Sequence, residues 1–185
     1  MVPPSSPGES KRPVVQVTPA QPTDASRLAA FGRRVFHTAF AADNDPSDLE
    51  AYLASAYTPE AQARELADAR ITTLLARDAD GVLLAFAQIR RVEAPECVDD
   101  PAALELWRFY VDQAWHGRGV AATLMHAVLD EGRRMGAATM WLGVWERNPR
   151  AKAFYAKHGF ARVGSHIFVV GSDPQTDEIW QRALT

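Results

Sequence analysis

The sequence holds a single cysteine, Cys97, among 185 residues, so it can form neither an intramolecular disulfide nor a cysteine-based zinc cluster. The flanking Glu96, Asp99 and Asp100 oppose thiolate formation, so Cys97 reads as a loop residue rather than a nucleophile. No run of apolar residues is long enough to span a bilayer. Positive charge is not in excess: 20 Lys and Arg stand against 23 Asp and Glu, a formal net charge of −3. A nucleic-acid partner is therefore not expected, because such partners call for a basic footprint. The five histidines, at positions 37, 116, 126, 158 and 166, never pair at metal-ligand spacing, and no metal site is expected. Residues Met1 to Pro13 are rich in Pro and Ser and lack the apolar stretch of a signal peptide. They read as a disordered tail, 1–13, ahead of one domain, 14–185. These absences together point to a cytoplasmic protein with no membrane partner.

What is present is ordinary for a globular domain: 47% hydrophobic and 23% charged residues. Val14 to Val17 reads as a first strand. A helix capped by Thr23 or Asp24 runs to about Ala42, with Leu28, Phe31, Val35 and Phe36 at helical spacing. Asp43 to Pro46 breaks it. Leu49, Tyr52 and Leu53 form a further amphipathic stretch, and Thr58-Pro59-Glu60 starts the next helix. Ile71 to Arg77 and Val82 to Arg91 read as a hairpin about Asp80-Gly81. Then follow a strand at Leu104–Val111, a helix from Gly119 to Met135 closed by Gly136, and a strand at Thr139–Trp145. A helix from Asn148-Pro149 ends at His158-Gly159. Strands at Phe160–Val170 and Glu178–Leu184 end the chain. The order predicts a mixed sheet with helices on its faces.

Between the strand at 104–111 and the next helix lies His116-Gly117-Arg118-Gly119-Val120-Ala121. A helix start offers unpaired N–H groups and the positive end of a dipole, and glycines let an anion approach the backbone. The chemistry implied is pyrophosphate binding. Gly117, Gly119 and Ala122 also fit the dinucleotide fingerprint G-x-G-x-x-A, with Glu146 where a ribose-binding carboxylate could stand. That fingerprint belongs on the first strand of a doubly wound sheet, whereas here it follows residue 115. A tight turn with no ligand is a third reading.

A second motif bears on the choice. The run Asn148-Pro149-Arg150-Ala151-Lys152-Ala153-Phe154-Tyr155-Ala156-Lys157-His158-Gly159-Phe160 resembles the signature N-x-x-A-x-x-F-Y-x-K-x-G-F of the GCN5-related N-acetyltransferase (GNAT) family. The glycine turn resembles that family's R/Q-x-x-G-x-G/A, with His116 where Arg or Gln is usual. The resemblance implies an α/β (α+β) fold: a mixed, mostly antiparallel sheet of about seven strands with helices on both faces and two splayed parallel strands. It implies an enzyme that moves an acetyl group from acetyl-CoA to a primary amine by direct attack on the thioester. The pantetheine arm would lie between the strands at 106–111 and 139–145, pairing with backbone at Tyr110 and Val111. The residues from His116 through Gly117, Arg118, Gly119, Val120, Ala121 and Ala122 would hold the pyrophosphate. Asn148 and Lys152 would contact the cofactor, Asn148 also capping its helix.

An aliphatic amine has a pKa of about 10, so a base must remove a proton and an acid must protonate the departing thiolate. Tyr155 stands at the family's acid position; alone, a helix tyrosine more often packs on a sheet. Glu105 opens its strand where the histone-acetyltransferase branch has a catalytic Glu, and a solvated charge at a strand end is its other reading. Water alone is a further route for the proton. The resemblance places the acceptor site at Phe36, Phe40, Tyr52, Tyr57, Asp43, Asp45 and Asp48, aromatics and acids that suit a cationic amine, although aromatics at helical spacing are usually core and acids near a helix start are usually caps. The stretch Glu105–Met125 and the run Asp173–Asp177 are similar to the bacterial spermidine/spermine acetyltransferase (PaiA-like) branch, which implies a polyamine or other small cationic amine. A peptide or protein amine, and a non-catalytic acetyl-CoA sensor, stay open. The family resemblance also suggests a homodimer. His166, near the end of a strand, reads as structural.

Overall fold

The computed structural model describes residues 14–170 and 173–184. The tail expected at 1–13 lies outside the described residues. In chain order the elements are β1 (Gln16–Pro19), α1 (Ala25–Phe40), α2 (Pro46–Ala56), α3 (Pro59–Ala67), β2 (Ile71–Arg77), β3 (Leu83–Arg90) and β4 (Leu104–Val111). They continue with α4 (Val120–Arg134), β5 (Thr139–Trp145), α5 (Pro149–Lys157), β6 (Ala161–Val170) and β7 (Asp173–Ala183). Short 3₁₀ turns at Pro22–Asp24 and Gln113–Trp115 lead into α1 and the glycine turn.

Three of the helices begin where side chains can take up their first amides. Asp45 accepts from the Ser47 and Asp48 amides at the start of α2. Thr58 accepts from Ala61 N (3.0 Å) at α3, and Asn148 from Ala151 N (3.0 Å) at α5. All three helices carry proline in their first turn, where no N–H is needed.

The seven strands form one sheet in the order β1-β2-β3-β4-β5-β7-β6. Every neighbouring pair is antiparallel except β4 and β5. From Leu83 to Ile89, β3 is buried without interruption, as a central strand covered on both faces must be. One cover is α4 with α5, whose Val120, Leu124, Val128 and Tyr155 pack on Leu84, Ile89, Leu106 and Met140. The other is α1 to α3, whose Leu28, Phe31, Leu49 and Leu53 pack on Leu75 and Phe86. A small third cluster sets Val98 and Ala103 of the loop before β4 on Trp141 and Ile179.

Most boundaries fall within two residues of expectation. β1 lies two residues later. β7 begins at Asp173, not Glu178, because β6 pairs with it along its whole length, from Val170↔Asp173 onward. The polar run 173–177 looks like a loop locally, and the pairing that makes it a strand comes from its neighbour.

Gly32 of α1 shows how tightly the second cover is packed. A Cβ there would lie 2.4 Å from two ring carbons of Tyr57, itself buried. Alanine at Gly32 gains about 1 kcal/mol of helix propensity. Overpacking a rigid buried ring costs about 1–3 kcal/mol, and at this distance the larger figures apply. Gly32→Ala is therefore expected to lower the urea midpoint at an unchanged m-value, although the same change in an open helix would raise it.

Candidate active site

β4 and β5 pair at only two positions, Leu104↔Met140 and Glu105↔Trp141. Beyond them the strands part. On its far side β4 stays paired with β3 as far as Val111↔Ala85, and β5 stays paired with β7 as far as Trp145↔Asp177. The facing edges thus carry backbone groups with no strand partner among the described residues, and such groups need one from elsewhere. The gap opens into a cavity of about 1130 Å³.

A bulge decides which side chains of β4 reach that cavity. Ile89 opposes Leu106 and Gln88 opposes Arg108, so Trp107 is the extra residue. Ahead of it Leu104 and Leu106 face α4; after it Phe109 and Val111 do. Glu105, Arg108 and Tyr110 consequently share the opposite face, toward α1 and α3.

At one mouth of the gap stands the glycine turn. Gly117 and Gly119 have φ of 73° and 88°, which only glycine adopts at little cost. Gly119 caps α4, whose first backbone bond runs from Thr123 N to Gly119 O (3.0 Å). The amides ahead of that bond, Arg118 apart, are the free N–H groups of a helix start. His116 Nε2 donates to Val111 O (3.1 Å), and its Nδ1 accepts from Arg150 Nη1 (2.8 Å). The imidazole thereby fixes a guanidinium at the cavity wall. Asn148, capping α5, lines the same mouth.

Of the residues expected from the sequence, Glu105, Tyr110, Val111, His116, Gly117, Gly119, Ala121, Asn148 and Tyr155 line the one cavity. Four stand outside its lining. Val120 is in the core, Arg118 stacks over Trp115 (5.4 Å), and Ala122 sits on α4 behind the turn. Lys152 donates to Glu146 O (2.7 Å) and to Glu178 (3.2 Å), so its ammonium serves the α5–β7 contact.

Tyr155 is buried, with Phe109, Phe154 and Phe160 around its ring. Burial raises the pKa of its hydroxyl, and no described residue hydrogen-bonds it. Across the gap, Phe36, Phe40, Tyr52, Tyr110 and Trp145 wall a chamber. Phe36 lies 4.6 Å from Phe40 and 4.7 Å from Tyr52, and Phe40 6.3 Å from Trp145, between ring centroids. Tyr57 lies beneath, outside the lining, and so do Asp43, Asp45 and Asp48. Asp45 is occupied as the cap of α2.

Three carboxylates do reach the cavity. Glu105 is hydrogen-bonded to Arg90, and Asp112 to Arg34 (2.7 Å). Burial alone would raise the Asp112 pKa, but the Ala114 amide and Arg34 outweigh it and hold it below the usual range. Asp177 lies 4.0 Å from His166. There burial wins: the carboxyl is held above its ordinary pKa, the imidazole pulling it only partly back. Arg108, buried at 5% exposure, is held by Glu65 (2.6 Å) and Gln88 (2.7 Å) and stacks over Trp107 (3.8 Å). Arg34, Arg108, Arg150, His166 and Asp177 were not among the expected site residues. Only the register of β6 on β7 could have flagged the last two.

Comparison with known proteins agrees with this geometry. The chain belongs to the acetyltransferase (GNAT) family, whose sequence model matches residues 37–160. It is 30% identical over 170 residues to an uncharacterized N-acetyltransferase in the pepI 3′ region of Lactobacillus delbrueckii subsp. lactis, covering 92% of this chain and 98% of the relative. It is 35% identical over 162 residues to an uncharacterized N-acetyltransferase of Mycobacterium tuberculosis, covering 88% and 99%. Its fold is similar to that of the PaiA N-acetyltransferase from Thermoplasma acidophilum, crystallised in complex with coenzyme A, with a TM-score of 0.73, 18% identity, and coverage of 91% and 98%. The protein is accordingly an N-acetyltransferase with acetyl-CoA as co-substrate. No helix among the described residues is long and apolar enough to cross a membrane.

The His116 contacts make a spectroscopic prediction. Because Arg150 can only donate, Nδ1 must carry the lone pair and Nε2 the proton. Nitrogen-15 spectra of the histidine rings should show His116 as the Nε2–H tautomer, and Arg150→Ala should shift the Nδ1 signal. A signal indifferent to that substitution would contradict the contact.

Proposed function

We propose that the chain acetylates the primary amine of a small molecule that enters the aromatic chamber, with Tyr155 as the acid. The observation that carries this reading is the single cavity joining the glycine turn, the strand gap, Tyr155 and the chamber. Acetyl-CoA, when bound, supplies the activated acyl group. The gap's backbone edge at 106–110, free of a strand partner, suits an extended arm, and the amides of Gly117, Gly119, Val120 and Ala121, beside the guanidinium of Arg150, suit the pyrophosphate. Tyr155 enters the gap from the α5 side, while the chamber opens on the other face. A nucleophile from the chamber and an acid from α5 therefore approach a group held in the gap from opposite sides. A raised hydroxyl pKa keeps Tyr155 protonated at neutral pH, as a donor to a leaving thiolate must be.

Glu105 faces the chamber, but its carboxylate is engaged by Arg90, and taking up a proton would break that pair. The acceptor we favour is compact. The acids expected to grip a polyamine, Asp43, Asp45 and Asp48, stand outside the lining, and two of the three carboxylates inside it hold arginines. A spermidine-like acceptor, suggested by the PaiA-like stretches, is the second reading.

Thiol release from acetyl-CoA against polyamines, amino acids, arylalkylamines and short peptides tests the proposal. Turnover with a compact amine supports it; turnover with spermidine alone would favour the second reading. Tyr155→Phe is expected to lower kcat by about 10²–10⁴-fold, the usual contribution of a positioned acid. The acetyl-CoA Kd, measured by calorimetry, should stay within about twofold, because the lost hydroxyl has no described partner. Unchanged kcat would remove Tyr155 from the mechanism.

A further inference from the structure

The charges lining the cavity do not balance evenly. Arg90 holds Glu105, and Arg34 holds Asp112. Asp177, with 17% of its side chain exposed, has neither arginine nor lysine beside it among the described residues, only the His166 ring at 4.0 Å. A carboxylate largely withdrawn from water calls for a cation or hydrogen-bond donors. His166 and Asp177 are directly paired across β6 and β7, so both side chains leave the sheet on one face. On the strand beside them Trp145 is paired with Asp177, and Gly143, two residues back on the same face, carries no side chain and lies past the last β4–β5 pair. A Cβ on Gly143 would come within 3.2 Å of Asp177 Oδ2 and 3.7 Å of His166 Nε2. The glycine thus leaves a notch, and the notch, the imidazole and the carboxylate all belong to the cavity lining.

We propose that Asp177 and His166 form the site that receives the acceptor amine, Asp177 binding its ammonium and His166 taking its proton. This rests on the acetyl-transfer reading. With the imidazole proton on Nδ1, Nε2 and Oδ2 are two acceptors 4.0 Å apart. One ammonium nitrogen can stand about 2.9 Å from both, the length of an ordinary hydrogen bond. Imidazole is the side chain suited to take a proton near neutral pH, and the new imidazolium would lie beside the Asp177 carboxylate.

The step balances as follows. His166 Nε2 takes one proton from R–NH₃⁺. The freed nitrogen lone pair forms the C–N bond to the acetyl carbonyl carbon. The C–S bond breaks with its electron pair on sulfur, and sulfur takes the Tyr155 proton. The second proton leaving nitrogen passes through solvent to Tyr155, and His166 returns its own to solvent. Glu105 then serves to hold Arg90. The family match ends at residue 160, so the β6–β7 hairpin carrying this pair lies beyond it.

The test needs no knowledge of the natural acceptor. The full chain, saturated with coenzyme A, is titrated with n-butylammonium chloride while the histidine ring resonances are followed by NMR. We expect the His166 signals to move saturably. Asp177→Asn should weaken that binding at least tenfold, and Glu105→Gln less than twofold. Tetramethylammonium, which has charge but no N–H, should leave His166 unmoved. Should Asp177→Asn fail to fold, Gly143→Ala fills the notch and should weaken n-butylammonium binding to a similar degree. Unmoved His166 signals in the unmutated protein, or a loss that follows Glu105→Gln instead, overturns the proposal. Failure of coenzyme A itself to bind, read by calorimetry beforehand, would overturn the acetyl-transfer reading instead.

Discussion

The site depends on β4 and β5 letting go of each other after two residues. Parallel neighbours inside a sheet normally stay paired, because an unpaired backbone group away from water is costly. Here the cost is tolerated along both facing edges, and the rest of the architecture holds the parting in place. β3 grips β4 as far as Val111, and β7 grips β5 as far as Trp145. Each strand is anchored by its outer neighbour, so neither can drift across to close the gap. Two helix starts, those of α4 and α5, then stand at the mouth, and that of α4 brings free amides where an anion can meet them.

Two arginines, Arg108 buried and Arg90 half-buried, steady the chamber side. Arg108 joins α3 to the sheet through Glu65 and Gln88, and Arg90 fastens Glu105 on the same face. Both guanidiniums also stack on the bulged Trp107, at 4.0 Å for Arg90 and 3.8 Å for Arg108. The bulge is what allows this, since without it Arg108 would point into the α4 core. Because burying a charge is tolerable only when it is paired, the network fixes side-chain positions more than it adds stability.

Much of the fold was legible in the sequence, because its signals are local. The spans of β2, β4 and β5 agree with their apolar runs residue for residue, and the starts of α3 and α5 with Thr58 and Asn148 followed by proline. The two glycines marked the turn before α4. What was not legible came from pairing between distant segments. The Trp107 bulge is invisible in Leu-Glu-Leu-Trp-Arg-Phe-Tyr-Val, which is apolar in either phase. Lys152 sits inside the family motif, yet Glu178 of β7 draws its ammonium away. His166 read as structural from its place near the end of a strand, and with the last strand expected from Glu178 no partner faced it. Once β7 starts at Asp173, Asp177 falls opposite His166. The acids at 43, 45 and 48 carried two readings, acceptor site or helix cap, and Asp45 is a cap.

The bond from Gln175 to Asn44 (2.9 Å) joins residues 131 positions apart. It ties the segment after α1 to the final hairpin, so the chamber is roofed by the two ends of the domain while the glycine turn and α5 occupy a continuous middle stretch. A growing chain therefore completes the glycine turn and α5 before the last wall of the chamber exists. The same division means that a change near Asn44 or Gln175 alters the roof of the chamber without touching the glycine turn or α5.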